Sequence, residues 1–241
     1  MFVFKRPLYL YWYPFPKKVS SKQRHILENN FPFYNKLSSA KKKFFQHRLK
    51  EFLTKYEFIG KEIQITDEME ILIGATYIML TFGMRDYLIG LFSRIIIYPS
   101  AYYSSVNKVY HKGEFNPRMK AIVFSWEDFL LGHNVTNDNV NLGLHEFAHA
   151  LHFYCLKSNQ TSALIFQDEF VEVMKYFNEE EKLLALIQKG YFRLYAYSNP
   201  FEFLAVILEH FFETPQMFKK QHPELFTSVS RMINIDEKYF G

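Results

Sequence analysis

At 241 residues with 49% hydrophobic and 19% aromatic side chains, 27 of them Phe and 17 Tyr, the chain is long enough to bury a large core and too apolar to be disordered. Its one cysteine, Cys155, excludes an internal disulfide and a cysteine-rich metal site, and fits a reducing, cytoplasmic setting. The net charge of +4 is uneven: residues 1–60 carry 13 Lys+Arg against 3 Glu, a basic front that leaves the rest acidic.

Residues 1–16 (MFVFKRPLYLYWYPFP) are apolar but interrupted by Lys5, Arg6 and three prolines. The run is too short to span a bilayer and has no small-residue cleavage site, so it reads as no signal peptide. Residues 1–36 are expected to form an aromatic, basic arm that packs on the domain of residues 37–241. Shallow membrane contact is the lesser alternative, and no nucleic-acid binding is expected. Residues 38–57 have helical periodicity through Phe45, Leu49, Phe52 and Tyr56, with Ser38 or Ser39 as cap and Gly60 beyond the end. Residues 62–65 alternate like a short strand. Thr66 or Asp67 then caps a nearly all-apolar helix reaching about Phe82, too short and interrupted to be a membrane span.

The runs Arg94–Tyr98 and Ala121–Ser125 have strand composition, and residues 99–120 between them read as loop or hairpin. Residues 166–176 and 179–189 read as helices, the second ending at Gly190. Asn199 and Pro200 suit the N-cap and first turn of a further apolar helix, and Pro215 ends it or begins the next. No linker or repeat divides the chain.

The chemistry concentrates at residues 141–152, NLGLHEFAHALH. HExxH on a helix puts His145 and His149 on one face, where both can reach one metal ion, with Glu146 beside them to act as a general base toward water. Val140, Leu144, Phe147, Ala148, Leu151 and Cys155 make an apolar stripe next to the histidines, and Asn137, Asp138 or Asn139 offer an N-cap. A catalytic zinc needs a third ligand and an open position. His152 lies seven residues past His145, about 10 Å along the axis, too far to share the ion, so it reads as a packing residue or a partner to a ligand. Glu202 is the better candidate, although Asn199-x-x-Glu202 also resembles a capping box in which Glu202 only folds back. Its helix is apolar nearly all round with Glu202, Glu209 and Glu213 on one face, and buried carboxylates want a cation.

The motif HEFAH after Asn141-Leu142, the segment NPFEFLAVILEHFFE from Asn199, the PELF from Pro223, and Ile97-Tyr98-Pro99 with Ser125-Trp126 together resemble the Mlc titration factor A family of zinc metallopeptidases, over residues 37–226. The resemblance implies one Zn2+ held by His145, His149 and Glu202, with Glu146 as general base. Around the metal that family is similar to the anthrax toxin lethal factor catalytic domain, which also has a tyrosine seven residues before the ligand Glu and so implicates Tyr195. The fold expected is α+β and zincin-like: mostly helical, with a small sheet flanking the HExxH helix. The activity implied is aminopeptidase-like hydrolysis of short peptide substrates. The alternative is a regulatory protein that binds and sequesters a transcriptional repressor. Zinc peptidases commonly lay extended substrate along an edge strand near the metal, a role that suits the run at 94–98 or at 121–125. Where family members usually carry Asp three residues after the second His, this chain has His152; Glu209 is either a substitute acceptor or a surface residue.

Overall fold

Caps and apolar stripes decide where most of the helices lie. The computed structural model describes residues 2–3, 6–7, 10–11, 13–104, 108–135 and 137–236. Its elements in chain order are β1 (Phe2–Val3), β2 (Arg6–Pro7), α1 (Ser21–Asn30), α2 (Pro32–Lys36), α3 (Ser39–Lys55), β3 (Glu57–Gly60) and α4 (Asp67–Thr81). There follow β4 (Arg94–Tyr98), β5 (Tyr102–Ser104), β6 (Val109–His111), β7 (Gly113–Asn116), β8 (Ala121–Ser125), α5 (Trp126–Asn134) and α6 (Leu142–Cys155). Last come α7 (Thr161–Asn178), α8 (Glu180–Lys189), a 3-10 turn (Leu194–Tyr197), α9 (Pro200–Glu213), α10 (Pro215–Gln221) and α11 (Pro223–Met232). The fold is α+β and mostly helical, with a small mixed sheet. Among the described residues no helix is long and apolar enough to cross a membrane.

Ser38, Thr66 and Asn199 cap α3, α4 and α9 with their side chains, as the sequence leads one to expect. Gly190 closes α8 in the left-handed conformation, φ +61, which costs glycine little. Pro215 begins α10. Two expectations move. The short strand lies at β3 rather than at 62–65, where Glu62 has φ 60 and turns the chain despite the alternating pattern. The helix holding HExxH is capped by Asn141, whose side chain accepts from the Leu144 N–H at 3.0 Å, and not by residues 137–139.

The four-stranded sheet runs β3-β4-β8-β7, with β3, β4 and β8 parallel and β7 antiparallel to β8. Both apolar runs, β4 and β8, are therefore interior strands. The edge near α6 is β7, within the stretch expected as loop or hairpin. That corrects the placement of a substrate edge at 94–98 or 121–125. Fully apolar strands are what an interior parallel position requires, whereas GEFN can only be an edge. Successive residues of a strand face opposite sides. Ile95, Ile97, Ile122 and Phe124 enter the main core with α4 and α6, while Ile96, Ala121 and Val123 form a small cluster on the other face.

Residues 21–36 form two helices whose Leu27, Phe31, Phe33 and Tyr34 are buried in the main core. Ahead of them, Leu10 and Tyr13 are held by the buried Arg48 guanidinium of α3, which gathers the Leu10 carbonyl, the Tyr13 hydroxyl and the Thr81 and Phe82 carbonyls at 2.8–3.1 Å. Residues 1, 4, 5, 8, 9 and 12 of the expected arm lie outside the described residues.

Candidate metal centre

Helix α6 buries Leu144, Phe147, Ala148, Leu151 and Cys155 in the core; Val140, the first member of the expected stripe, stands before the helix and is exposed. The opposite face carries His145 and His149 toward α9. One turn into α9, Glu202 meets them. His145 Nε2 lies 3.1 Å from His149 Nε2 and 2.9 Å from Glu202 Oε2, and His149 Nε2 lies 3.6 Å from Glu202 Oε1. A ligand atom from each of the three residues falls within 4.8 Å of the others. Tetrahedral ligands 2.0–2.1 Å from a zinc ion would stand roughly 3.4 Å apart, so this spacing fits. Glu202 points its carboxylate at the imidazoles, and the N-cap role falls to Asn199, which accepts from the Phe201 and Glu202 N–H groups at 2.9 and 3.0 Å.

His145 Nδ1 lies 2.7 Å from Glu209 Oε1. A carboxylate accepts only, so Nδ1 carries the proton and Nε2 turns a lone pair toward His149 and Glu202. With Nε2 unprotonated, buried Glu202 Oε2, 2.9 Å away, has no hydrogen-bond donor among the described residues. Three converging groups with lone pairs facing one another require a cation between them. Without a metal ion, the requirement falls on a proton. Burial pushes the His145 pKa down, but its bonds to Glu202 and Glu209 win and raise it to about 10. Burial likewise pushes Glu202 up, and its bonds to His145 and His149 hold it well below the usual carboxylate range. The donor set of two imidazoles and one carboxylate fits a zinc-type ion.

Glu146 is 7% exposed and sits between the ligand pair and β7, feeling the charges of His145, His149 and Glu202. Its Oε2 accepts from the Phe115 N–H at 2.9 Å. Burial raises its pKa against the lowering effect of His145 and His149, the direction that suits a base which must also give its proton back. Gly113 makes this approach possible: a Cβ there would lie 2.9 Å from Glu146 Oε1 and Cγ and 2.7 Å from Leu142 Cδ1. Tyr195, half exposed in the 3-10 turn, sets its ring 6.1 Å from that of His145. Burial and the Glu202 carboxylate push its phenol up to about 12, so it stays protonated and able to donate.

The question left open at Glu209 resolves toward the acceptor. It is 1% exposed, and Arg193 grips it with both guanidinium nitrogens, at 2.6 and 3.1 Å. Arg193 also donates to the Asn139 carbonyl, tying the loop before α6 to α9. At the end of the same face, Glu213 accepts from the Asn141 side chain at 3.1 Å. His152 is a packing residue. It is buried, its ring nitrogens find no hydrogen-bond partner among the described residues, and it lies 4.4 and 4.7 Å from the Phe170 and Phe201 rings. Arg193, Gly113 and the Phe115 N–H were missed from sequence. Only Arg193 had a signal, as a cation two residues before Tyr195 and opposite an acidic helix face.

Beside the ligands opens a cleft of about 410 Å3, lined by His149, Glu202, Asn199, Phe115, Pro117, Phe153 and Phe201. A helix-borne histidine pair, a carboxylate from a second helix, a buried Glu beside them and an adjoining cleft make up the class of site found in metallopeptidases. The sequence comparisons agree. A family model described as glucose-regulated metallo-peptidase M90 matches residues 14–233, and the chain belongs to that family. It is also similar to an uncharacterized protein of Synechocystis sp., 26% identical over 93% of this chain and 83% of the relative.

Proposed function

We propose that the chain is a zinc-dependent peptidase in which His145, His149 and Glu202 hold the ion and Glu146 moves the proton. The observation that carries this reading is the convergence of three ligand atoms within 4.8 Å, with Glu146 secured beside them by the Phe115 N–H. A bound zinc ion would supply Lewis-acid polarisation of the scissile carbonyl and would make a water acidic enough to attack near neutral pH. Glu146 takes the proton of the attacking water on a carboxylate oxygen and delivers it to the leaving amine. Its raised pKa favours that second transfer. Phe115 fixes the carboxylate, so the proton acceptor is already aimed before substrate arrives. Tyr195 donates its phenolic O–H to the carbonyl oxygen as it becomes an oxyanion on attack by water. Glu209 holds the His145 proton on Nδ1, which keeps Nε2 free for the ion.

The finer reading is aminopeptidase action on short peptides, which rests on the family likeness. The test is metal content and turnover together. Wild-type protein should bind about one zinc per chain and cleave short peptides with a free amino end faster than their acetylated forms. His149→Ala should lose both metal and turnover, because two remaining ligands hold zinc poorly. Full zinc in folded His149→Ala protein would place the metal elsewhere and sink the proposal.

A further inference from the structure

The cleft beside the ligands has a composition that the proton chemistry does not use. Its wall away from the metal is built from Phe115, Pro117, Phe153 and Phe201. Of its polar groups, His149 and Glu202 face the proposed ion, and Asn199 commits its Oδ1 to the Phe201 and Glu202 N–H groups at the start of α9, leaving only an uncharged amide donor. Among the described residues no carboxylate outside the ligand set lines it to receive a basic side chain. Lys157 holds its Nζ 3.9 Å over the Phe153 ring, adding positive charge at that wall. Phe201 remains 43% exposed although its ring lies against buried His152, so the packing of α9 leaves much of this phenyl group open to the cleft. Phe115 and Phe153 meet edge to face at 6.0 Å, the arrangement into which a third ring can add.

We infer that this cleft is the specificity subsite for a large apolar side chain, aromatic by preference, of the residue flanking the scissile bond. The inference rests on the peptidase reading and names its substrate class. Placement relative to the chemistry is fixed at both ends. His149 and Phe153 are one turn apart on α6, and the Phe115 backbone that floors the cleft also holds Glu146. A volume of about 410 Å3 is ample for one ring or a branched aliphatic group. An apolar wall of this kind rejects charged side chains through desolvation and separates large from small apolar ones by roughly ten- to a hundredfold.

Two measurements on zinc-loaded protein test it. In the first, short unblocked peptides carry Phe, Leu, Ala, Lys or Glu on either side of the cleaved bond. Phe and Leu should exceed Ala, Lys and Glu in kcat/KM by about tenfold or more at one of the two positions. A flat profile, or a preference for Lys or Glu, overturns the assignment. In the second, phenylalanine, alanine and lysine hydroxamates are titrated calorimetrically, which needs no turnover. The phenylalanine compound should bind about tenfold tighter than the other two, and equal affinities overturn the subsite while leaving the metal reading standing. If none of the three binds zinc-loaded protein, the ion is not open to substrate, and the peptidase reading fails with the subsite. Phe153→Ala, at a half-buried position, should cut the phenylalanine-to-alanine ratio at least about fivefold in both measurements. A ratio unchanged in folded Phe153→Ala protein places the preference outside this cleft and overturns the inference.

Discussion

His145 and Glu209 meet at 2.7 Å across the packing of α6 on α9, while Glu202, two turns earlier on α9, reaches the other nitrogen of the same ring. One helix therefore reaches both nitrogens of the imidazole: Glu202 faces Nε2 at the candidate metal position, and Glu209 fixes the proton on Nδ1. Arg193 holds the Glu209 carboxylate in place with two hydrogen bonds. Replacing Glu209 with Gln keeps the shape, but the amide can present its NH2 to Nδ1 and favour the wrong tautomer. Glu209→Gln is expected to weaken zinc affinity by roughly ten- to a hundredfold, measured by competition with a chelator. Wild-type affinity in the variant would show that the contact is only packing.

Glu146→Gln should leave zinc bound and lower peptide turnover on the order of a hundredfold or more. Gly113→Ala reports on the same group from the strand side. The added methyl must displace Glu146 or push β7 away, since it would sit under 3.0 Å from both Glu146 and Leu142. Turnover should fall by about tenfold or more with zinc retained, and the acid limb of the pH–rate profile should move, because the Phe115 N–H that lowers the Glu146 pKa is disturbed. An unchanged profile in Gly113→Ala would separate β7 from the base.

The HExxH helix was readable because its information is local: i and i+4 on a helix share a face whatever surrounds them. Asn199 and Pro200 likewise announced the start of α9, so Glu202 could be placed one turn in. What the chain alone could not show depends on how distant segments pack. Glu209 looked like either a surface acid or an acceptor until α9 lay against α6. Strand β7, four residues without an apolar alternation, gave no signal, yet it supplies the N–H that holds Glu146. Asn141 was passed over as a cap because three equally good capping residues precede it. The helices of residues 21–36 were folded into the expectation of an arm, since their apolar residues are spread among Lys, Asn and Pro.

Acid should unfold the metal-free protein earlier than its carboxylates alone would dictate. Burial lowers His210 to about 3 and His222 to about 4, and both lie away from the ligand cluster on α9 and at the start of α11. A histidine that is neutral in the fold but titrates near 6.5 when unfolded adds stability that is complete above about pH 6.5. That stability drains as the pH falls toward the folded value, at up to about 1.4 kcal/mol per pH unit for each group. Glu213 opposes this, since burial raises it to about 7 and its neutral form favours the fold at lower pH. His47, His133 and His152 are lowered by burial in the same way, and Glu70 and Glu146 are raised like Glu213, so five imidazoles against three carboxyls leave a net loss between about pH 6.5 and 4.5. Denaturant melts in the presence of chelator should show it, and His222→Gln should flatten the slope. A stability that rises from pH 6.5 to 5 would contradict the assignment.

Tyr195 tests how far the turn before α9 belongs to the chemistry. Its ring stands 6.1 Å from His145, and its phenol is protonated across the neutral range because burial and Glu202 push its pKa up to about 12. The backbone links it to the metal side chains twice: Glu202 follows seven residues later, and Arg193, two residues before, is pinned to Glu209 and to the Asn139 carbonyl. Such a tether suits a donor that must meet an oxyanion developing beside the ion, where a misplaced hydroxyl is worth little. It equally suits an aromatic that only seals the turn, although half of Tyr195 is exposed and Tyr197 next to it is the more enclosed of the two. Tyr195→Phe separates these roles by deleting the hydroxyl and keeping the ring. A donor predicts intact zinc, a nearly unchanged Tm and kcat lower by roughly ten- to a thousandfold, with KM moving much less. Normal turnover in Tyr195→Phe, with or without a lower Tm, would take Tyr195 out of the reaction and leave stabilisation of the oxyanion to the ion or to another donor.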